Sequence, residues 1–222
     1  MSVAEEKMKK DVIDELYCDP RVDASEVNVE IDGGKVTLNG TVPTYTSITA
    51  ATEDAWNIEG VHAVINDIEV EIPTTEKVPT DDELQTNIET SFILSNDIDS
   101  SDIDVSVKAG VATLKGSVDA YWKKLKAEDI ASSLSGIIAI INKLAIVPTE
   151  DYIDKDIADD IMDAITRNIN VDAEAVDVRV EDGVVSLSGT VEDWNAYEAA
   201  MDAAKFTPGV IDIDDNLIIE SL

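Results

Sequence analysis

The cluster of side chains best suited to gripping an anionic surface is YWKKLK at 121–126. Tyr121, Trp122, Lys123, Lys124 and Lys126 combine aromatic rings with ammonium groups, which a phospholipid surface or an acidic protein partner would engage. In a simpler reading Tyr121 packs over the end of its own sheet, as Tyr45 and Trp194 would at equivalent positions, and the lysines are merely solvated. Other reactive residue types are sparse. His62, the sole histidine, has no Cys, His or paired carboxylate at ligand spacing, and Cys18, the sole cysteine, cannot form an intrachain disulfide. The acidic runs NDIDSSDID at 96–104 and DIDDN at 212–216 invite a calcium reading. They lack the spaced ligands, central glycine and terminal Glu of an EF-hand loop, and Ile98, Ile103 and Ile213 interrupt them at positions suited to a core. No Ser/His/Asp set, metal-ligand cluster or phosphate-cradling loop is present, so the expectation is a chain that is not an enzyme and uses no cofactor or metal.

Charge narrows the partners further. The chain of 222 residues carries 48 acidic and 16 basic side chains, a net of −32. Divided at residues 74 and 150, it holds 16 acidic and 5 basic residues, then 13 and 7, then 19 and 4, for nets of −11, −6 and −15. Nucleic acid would be repelled, because binding it relies on Lys and Arg displacing counterions from phosphates. The acidity reads as a solubility or salt-adaptation device, with selective cation binding as the sharper alternative. No stretch has the apolar length of a membrane span, and MSVAEEKMKKD at the start offers no export signal. The expectation is a soluble cytoplasmic chain, or a periplasmic one if a leader has been removed.

The elements that must position these residues come from an internal repeat. VEIDGGKVTLNGTV at 29–42, VSVKAGVATLKGSV at 105–118 and VRVEDGVVSLSGTV at 178–191 share one pattern of alternating apolar residues around a glycine-bearing turn. Each reads as a half-buried β-hairpin. Gly34, Gly110 and Gly183 sit in the turns, and Gly40, Gly116 and Gly189 near the ends of the second strands. Gly60, Gly136 and Gly209 each follow twenty residues later. Upstream, Met8, Val12 and Leu16 correspond to Leu84, Ile88 and Phe92 and to Ile157, Ile161 and Ile165, one stripe of an amphipathic helix in each copy. Downstream, an alanine-bearing helical pattern centred on Ala51, Ala127 and Ala200 precedes a third strand that carries Ile68, Leu144 and Leu217.

Each unit therefore runs helix, strand, strand, helix, strand. The predicted fold is α+β: three tandem two-layer units, each with a three-stranded mixed sheet and both helices on one face. Helices are expected from about residue 3 to Asp19, before Pro20, and over about 46–58; Ser2 with Glu5, and Thr80 with Glu83, have capping-box spacing. EIPTTEKVPT at 71–80 and VPTED at 147–151 read as linkers, the second short enough that neighbouring units should touch. Units of this size sit near the lower limit for independent folding, so such contacts would help.

The motif V-x-V-x-x-G-x-V-x-L-x-G-x-V, followed by the alanine-bearing helix and G-V-x-x-V-x-N-x-L-x-V, resembles the BON domain family and its OsmY-like members. All three units carry the resemblance, over 5–72, 81–147 and 153–220. The nine glycines named above match the family's characteristic ones, and Asn66 and Asn142 match the asparagine of its last strand. The third unit departs, with Asp215 there and Asn216 one residue later, and Ala112 replaces the usual β-branched residue. The resemblance implies a non-enzymatic protein of osmotic or envelope stress that contacts phospholipid surfaces or protein partners, with potassium binding in one cytoplasmic relative. The leading expectation is thus a binding or scaffold protein. The alternatives are a cation-binding or cation-sensing protein, for potassium or calcium, and a chain that self-associates through free sheet edges.

Overall fold

The computed structural model describes residues 2–73 and 78–220. Residues 74–77, in the middle of the expected first linker, lie outside it. The first unit comprises α1 (Val3–Cys18), β1 (Val27–Asp32), β2 (Lys35–Val42), α2 (Tyr45–Trp56) and β3 (Ala63–Val70). The second repeats this as α3 (Asp81–Leu94), β4 (Ile103–Lys108), β5 (Val111–Val118), α4 (Tyr121–Ser132) and β6 (Ala139–Ile146). The third follows with α5 (Asp154–Arg167), β7 (Val176–Glu181), β8 (Val184–Val191), α6 (Trp194–Lys205) and β9 (Asp212–Ile219). One short 3₁₀ turn precedes the first strand of each unit.

The hairpin's second strand lies at the centre of every sheet, an order that the sequence alone did not reveal. β2 pairs with β1 antiparallel and with β3 parallel, and β5 and β8 do the same in their sheets. Its inward residues therefore meet both helices. Leu38, Leu114 and Leu187 are fully buried, packed with Val12 and Leu16 (and the half-buried Met8), with Leu84, Ile88 and Phe92, and with Ile157, Ile161 and Ile165 of the first helices. From the second helices come Ala51 and Ala55, Ala127 and Ala131, and Ala200 and Ala204, all fully buried. Their small side chains let the helix lie close on its sheet, and three separate cores result.

The first helices begin as their caps predict. Ser2 and Glu5 form a reciprocal capping box at α1, and Thr80 and Glu83 do so at α3. α1 ends at Cys18, which is exposed, and α2 begins at Tyr45 and ends at Trp56, slightly earlier at both ends than expected. His62 lies just before β3, with Nε2 2.7 Å from the Gly33 carbonyl, where it closes the hairpin turn of its own unit.

A second device recurs that no sequence pattern announces. An acidic residue in the first turn of each first helix reaches the hairpin turn some thirty residues ahead. Asp81 accepts hydrogen bonds from Ala109 N (2.8 Å) and Gly110 N (3.0 Å), and Asp154 from Asp182 N and Gly183 N (both 2.9 Å). Glu5 accepts one from Gly33 N at 3.3 Å. Ala109 and Asp182 hold φ of 50° and 51°, in the left-handed region, so the carboxylate stabilises turns that their side chains disfavour. Those amides hold the Asp81 carboxyl below its ordinary value.

Gly40, Gly116 and Gly189 sit where the hairpin closes against the residue before its first strand. At Gly116, φ is 112° and a Cβ would lie 1.9 Å from the Asp102 carbonyl oxygen. Both constraints act on one atom, and the neighbour is backbone. Gly116→Ala is therefore expected to destabilise the second unit by at least about 2–3 kcal/mol, seen as a lower urea midpoint with the fold otherwise retained.

Candidate interaction site

The residues singled out at 121–126 open α4, and the structure divides them between two tasks. Tyr121 packs against the core of the third unit, not over its own sheet. Burial, then the nearby Asp212 and Glu128 carboxylates, raise its phenol pKa. Trp122 is half-buried, with the Lys123 ammonium 5.6 Å from its ring centroid. Lys123 pairs with Asp119 at 2.7 Å and Lys126 with Asp129 at 2.7 Å. Lys124 is half-buried, and its carbonyl accepts from Asn142 Nδ2 at 2.9 Å. The two clearest ammonium groups of the cluster thus have carboxylate partners on or beside their own helix.

Equivalent aromatic residues at the starts of the other second helices also reach neighbouring units. Trp194, at the start of α6, stacks on Trp56 at the end of α2, with centroids 4.3 Å apart and planes 6° from parallel. Tyr197 stacks on the other side of Trp194 at 4.8 Å. Its hydroxyl donates to Asp215 Oδ2 at 2.6 Å, which anchors the stack to β9. Tyr45, its phenol pKa raised by burial, lies within electrostatic reach of Glu128 on α4. The third unit therefore meets both others.

This stack also explains the third unit's departure from the asparagine pattern. Asn66 Nδ2 donates to the Ile48 carbonyl (2.9 Å) and Thr52 Oγ1 (2.7 Å), while its Oδ1 accepts from Ile68 N. Asn142 ties α4 to β6 in the same way. A carboxylate cannot donate, so at Asp215 the direction reverses: the tyrosine on the helix becomes the donor, and Leu217 N still donates to Oδ1 at 3.0 Å. Burial and this bond push the Tyr197 phenol pKa up.

One buried carboxyl stands out in the first unit. Asp54, 4 % exposed on α2, has no hydrogen-bond partner for Oδ2 among the described residues. Burial first, then Asp19 and Glu15, push its pKa from 3.8 up to about 6, against the pull of Arg21. Arg21 itself binds Asp19 (2.7 Å) and Glu53 (3.1 Å) and holds the Asp19 carboxyl low. Ile130 and Ala203 take the equivalent position in the other units, so the titration belongs to the first alone.

No group of three or more ligating His, Cys, Asp or Glu side chains comes together among the described residues, and the runs at 96–104 and 212–216 end as strand and turn residues. No helix among them is long and apolar enough to cross a membrane.

Comparison with known proteins agrees with this architecture. The family profile described as BON domain matches residues 4–72, 80–148 and 153–221. The chain belongs to the BON domain family. Among curated proteins, Osmotically-inducible protein Y of Escherichia coli (strain K12) is similar to this BON-domain chain. The two are 28% identical over 145 residues, which cover 62% of this chain and 71% of that protein. Two solved structures of CdsD, a structural protein of the type III secretion system of Chlamydia trachomatis, align over 96% and 95% of the chain. They do so at 9% and 11% identity, covering 92% and 96% of those chains, with a TM-score of 0.27 in both cases. A score that low carries no argument.

Two outcomes follow for these contacts. A double-mutant cycle on Trp56→Ala and Trp194→Ala in urea denaturation should return a coupling of about 1 kcal/mol, because the stacked rings act as one contact between units. For Asp54 the folded pKa exceeds the unfolded one, so its contribution is fully present below 3.8 and is lost as pH rises through about 6. The first unit's stability should fall across that window, and Asp54→Asn should flatten the fall.

Proposed function

We propose that this chain is a non-catalytic binding or scaffold protein, in which three BON domains over 5–72, 81–147 and 153–220 hold outward surfaces toward protein partners or a phospholipid surface. Osmotic or envelope stress is the proposed setting, in keeping with the name of the Escherichia coli relative. The observation that carries this reading is that the three interiors keep apolar side chains at equivalent positions while the surfaces diverge in charge and residue type. Leu38, Leu114 and Leu187 are interchangeable in the cores, whereas the outward helix position held by Trp122 is an exposed Thr46 in the first unit and an exposed Asn195 in the third. Residues that vary among copies of one module are free of its folding constraint and available for recognition.

The second unit is the proposed contact unit, since over 81–147 it carries six basic residues against five in the first and four in the third. On α4, Trp122, Lys123, Lys124 and Lys126 ring the first turns of the helix, and that end is the proposed contact, with Tyr121 holding it against the third unit. Lys126 would exchange the Asp129 carboxylate for an external anion, a small change because exposed ion pairs contribute only about 0–1 kcal/mol, while the partly buried Lys123–Asp119 pair would open further to do so. No group of three His, Cys, Asp or Glu side chains among the described residues favours a divalent-cation reading.

Co-sedimentation with phosphatidylglycerol-containing vesicles, and capture of binding partners, should both weaken for Lys123→Glu combined with Lys124→Glu. Unchanged binding in both assays would remove α4 as the contact. Titration with potassium or calcium at constant ionic strength should give no saturable heat.

A further inference from the structure

Each sheet covers its inner face with two helices and leaves the other face open. The alternation of β1, β2 and β3 places Glu30, Asp32, Asp67 and Glu69 on the first unit's open face, with Lys35 as its one cation. The third unit's open face carries Asp177, Glu181, Asp212 and Asp214 against Arg179. The second unit inverts this sign. Its open face holds Lys108, Lys115 and Lys143 against Asp104, so the three faces have nets of −3, +2 and −3.

The lysines of that face are poorly accommodated in the single chain. Lys115 lies between Asp104 on β4 and Lys143 on β6, and the Lys115–Lys143 pair, about 4.8 Å apart across the strands, is an arrangement of like charges that destabilises a sheet. Among the described residues none of the three lysines has an ion pair, although eight of the other basic residues do. Beside them lies an apolar patch of Val111, Ala139, Ile141 and Ala145, with Ile141 43% exposed.

We propose that the open face of the second unit docks onto the open face of the first unit of another copy of this chain. The proposal rests on the reading that the protein works through its surfaces. Three features select that occupant. The first unit's face has the same centre in the same register, Ile65 beside Thr37 where the second has Ile141 beside Thr113. Around that centre the charges are opposite, with Asp67 at the position equivalent to Lys143 and Glu69 two residues on. In the third unit Asp214 replaces the central isoleucine, which removes the apolar contact. Two sheets of one fold share their twist and so stack in alignment at about 10 Å, which a flat bilayer cannot match. Because the two faces differ, the contact is heterologous and propagates from copy to copy into rings or open chains.

Sedimentation equilibrium at about 0.15 M salt should show a mean mass rising with protein concentration, with association falling at least tenfold at about 1 M salt, where the Debye length shortens to about 3 Å. Lys115→Glu with Lys143→Glu, and separately Asp67→Lys with Glu69→Lys, should each abolish association. An equimolar mixture of the two variants should restore it, because each then meets a complementary face; the rescue also shows that both fold. A single-chain mass at millimolar concentration, association indifferent to these substitutions, or no rescue on mixing would overturn the proposal. So would a monomeric wild type whose binding to phosphatidylglycerol vesicles is lost in Lys115→Glu/Lys143→Glu, since the face would then belong to a bilayer. None of these results bears on binding through α4, which is read in separate assays.

Discussion

Burial of one face of a central strand beneath two helices is the constraint on which the molecule depends. β2, β5 and β8 each hydrogen-bond on both sides, so their backbone groups are satisfied, and their inward leucines lose all contact with water. Small alanines on the second helix and large apolar residues on the first complete the same interior three times. Equivalent core positions stay apolar but differ in size, Leu16 against Phe92 and Ile165 and Val36 against Ala112, so larger and smaller side chains offset one another within a close-packed interior. The open faces and outer helix surfaces carry no such constraint, and there the three units differ most in charge.

Coupling between the units is built from few large contacts. Trp56, Trp194 and Tyr197 form a continuous stack that ends on Asp215, and Tyr121 inserts against the third core. Aromatic rings bury much area with few rotatable bonds, which suits a junction between modules too small to be robust alone. The same aromatic positions had the simpler interpretation of covering their own sheets. That interpretation misses the neighbour, since a ring at the start of a helix looks alike in sequence whichever core receives it.

The hydrogen bonds that join distant segments were the least legible. Glu5, Asp81 and Asp154 look like ordinary first-turn acids that favour a helix N-terminus, yet each also satisfies amides of a hairpin turn. Asp215 reads as a lapse from the family pattern until Tyr197 is seen to reverse the donor. Asp54 reads as one more surface acid until burial raises its pKa. In each case the partner lies 14 or more residues away, beyond the reach of local periodicity.

Periodicity and repetition in the sequence by themselves determined the element order, the three units, their core stripes, the glycine turns and the family. These are local or self-comparing properties: strand alternation, helical spacing and a threefold repeat need no knowledge of where one segment lies against another. Only the tertiary structure decided the central place of the hairpin's second strand and which carboxylates are buried. It also decided which aromatic residues cross to neighbouring units and which of the described lysines form no ion pair. Those outcomes depend on distances between residues far apart in the chain, and folding sets such distances through the packing of whole surfaces.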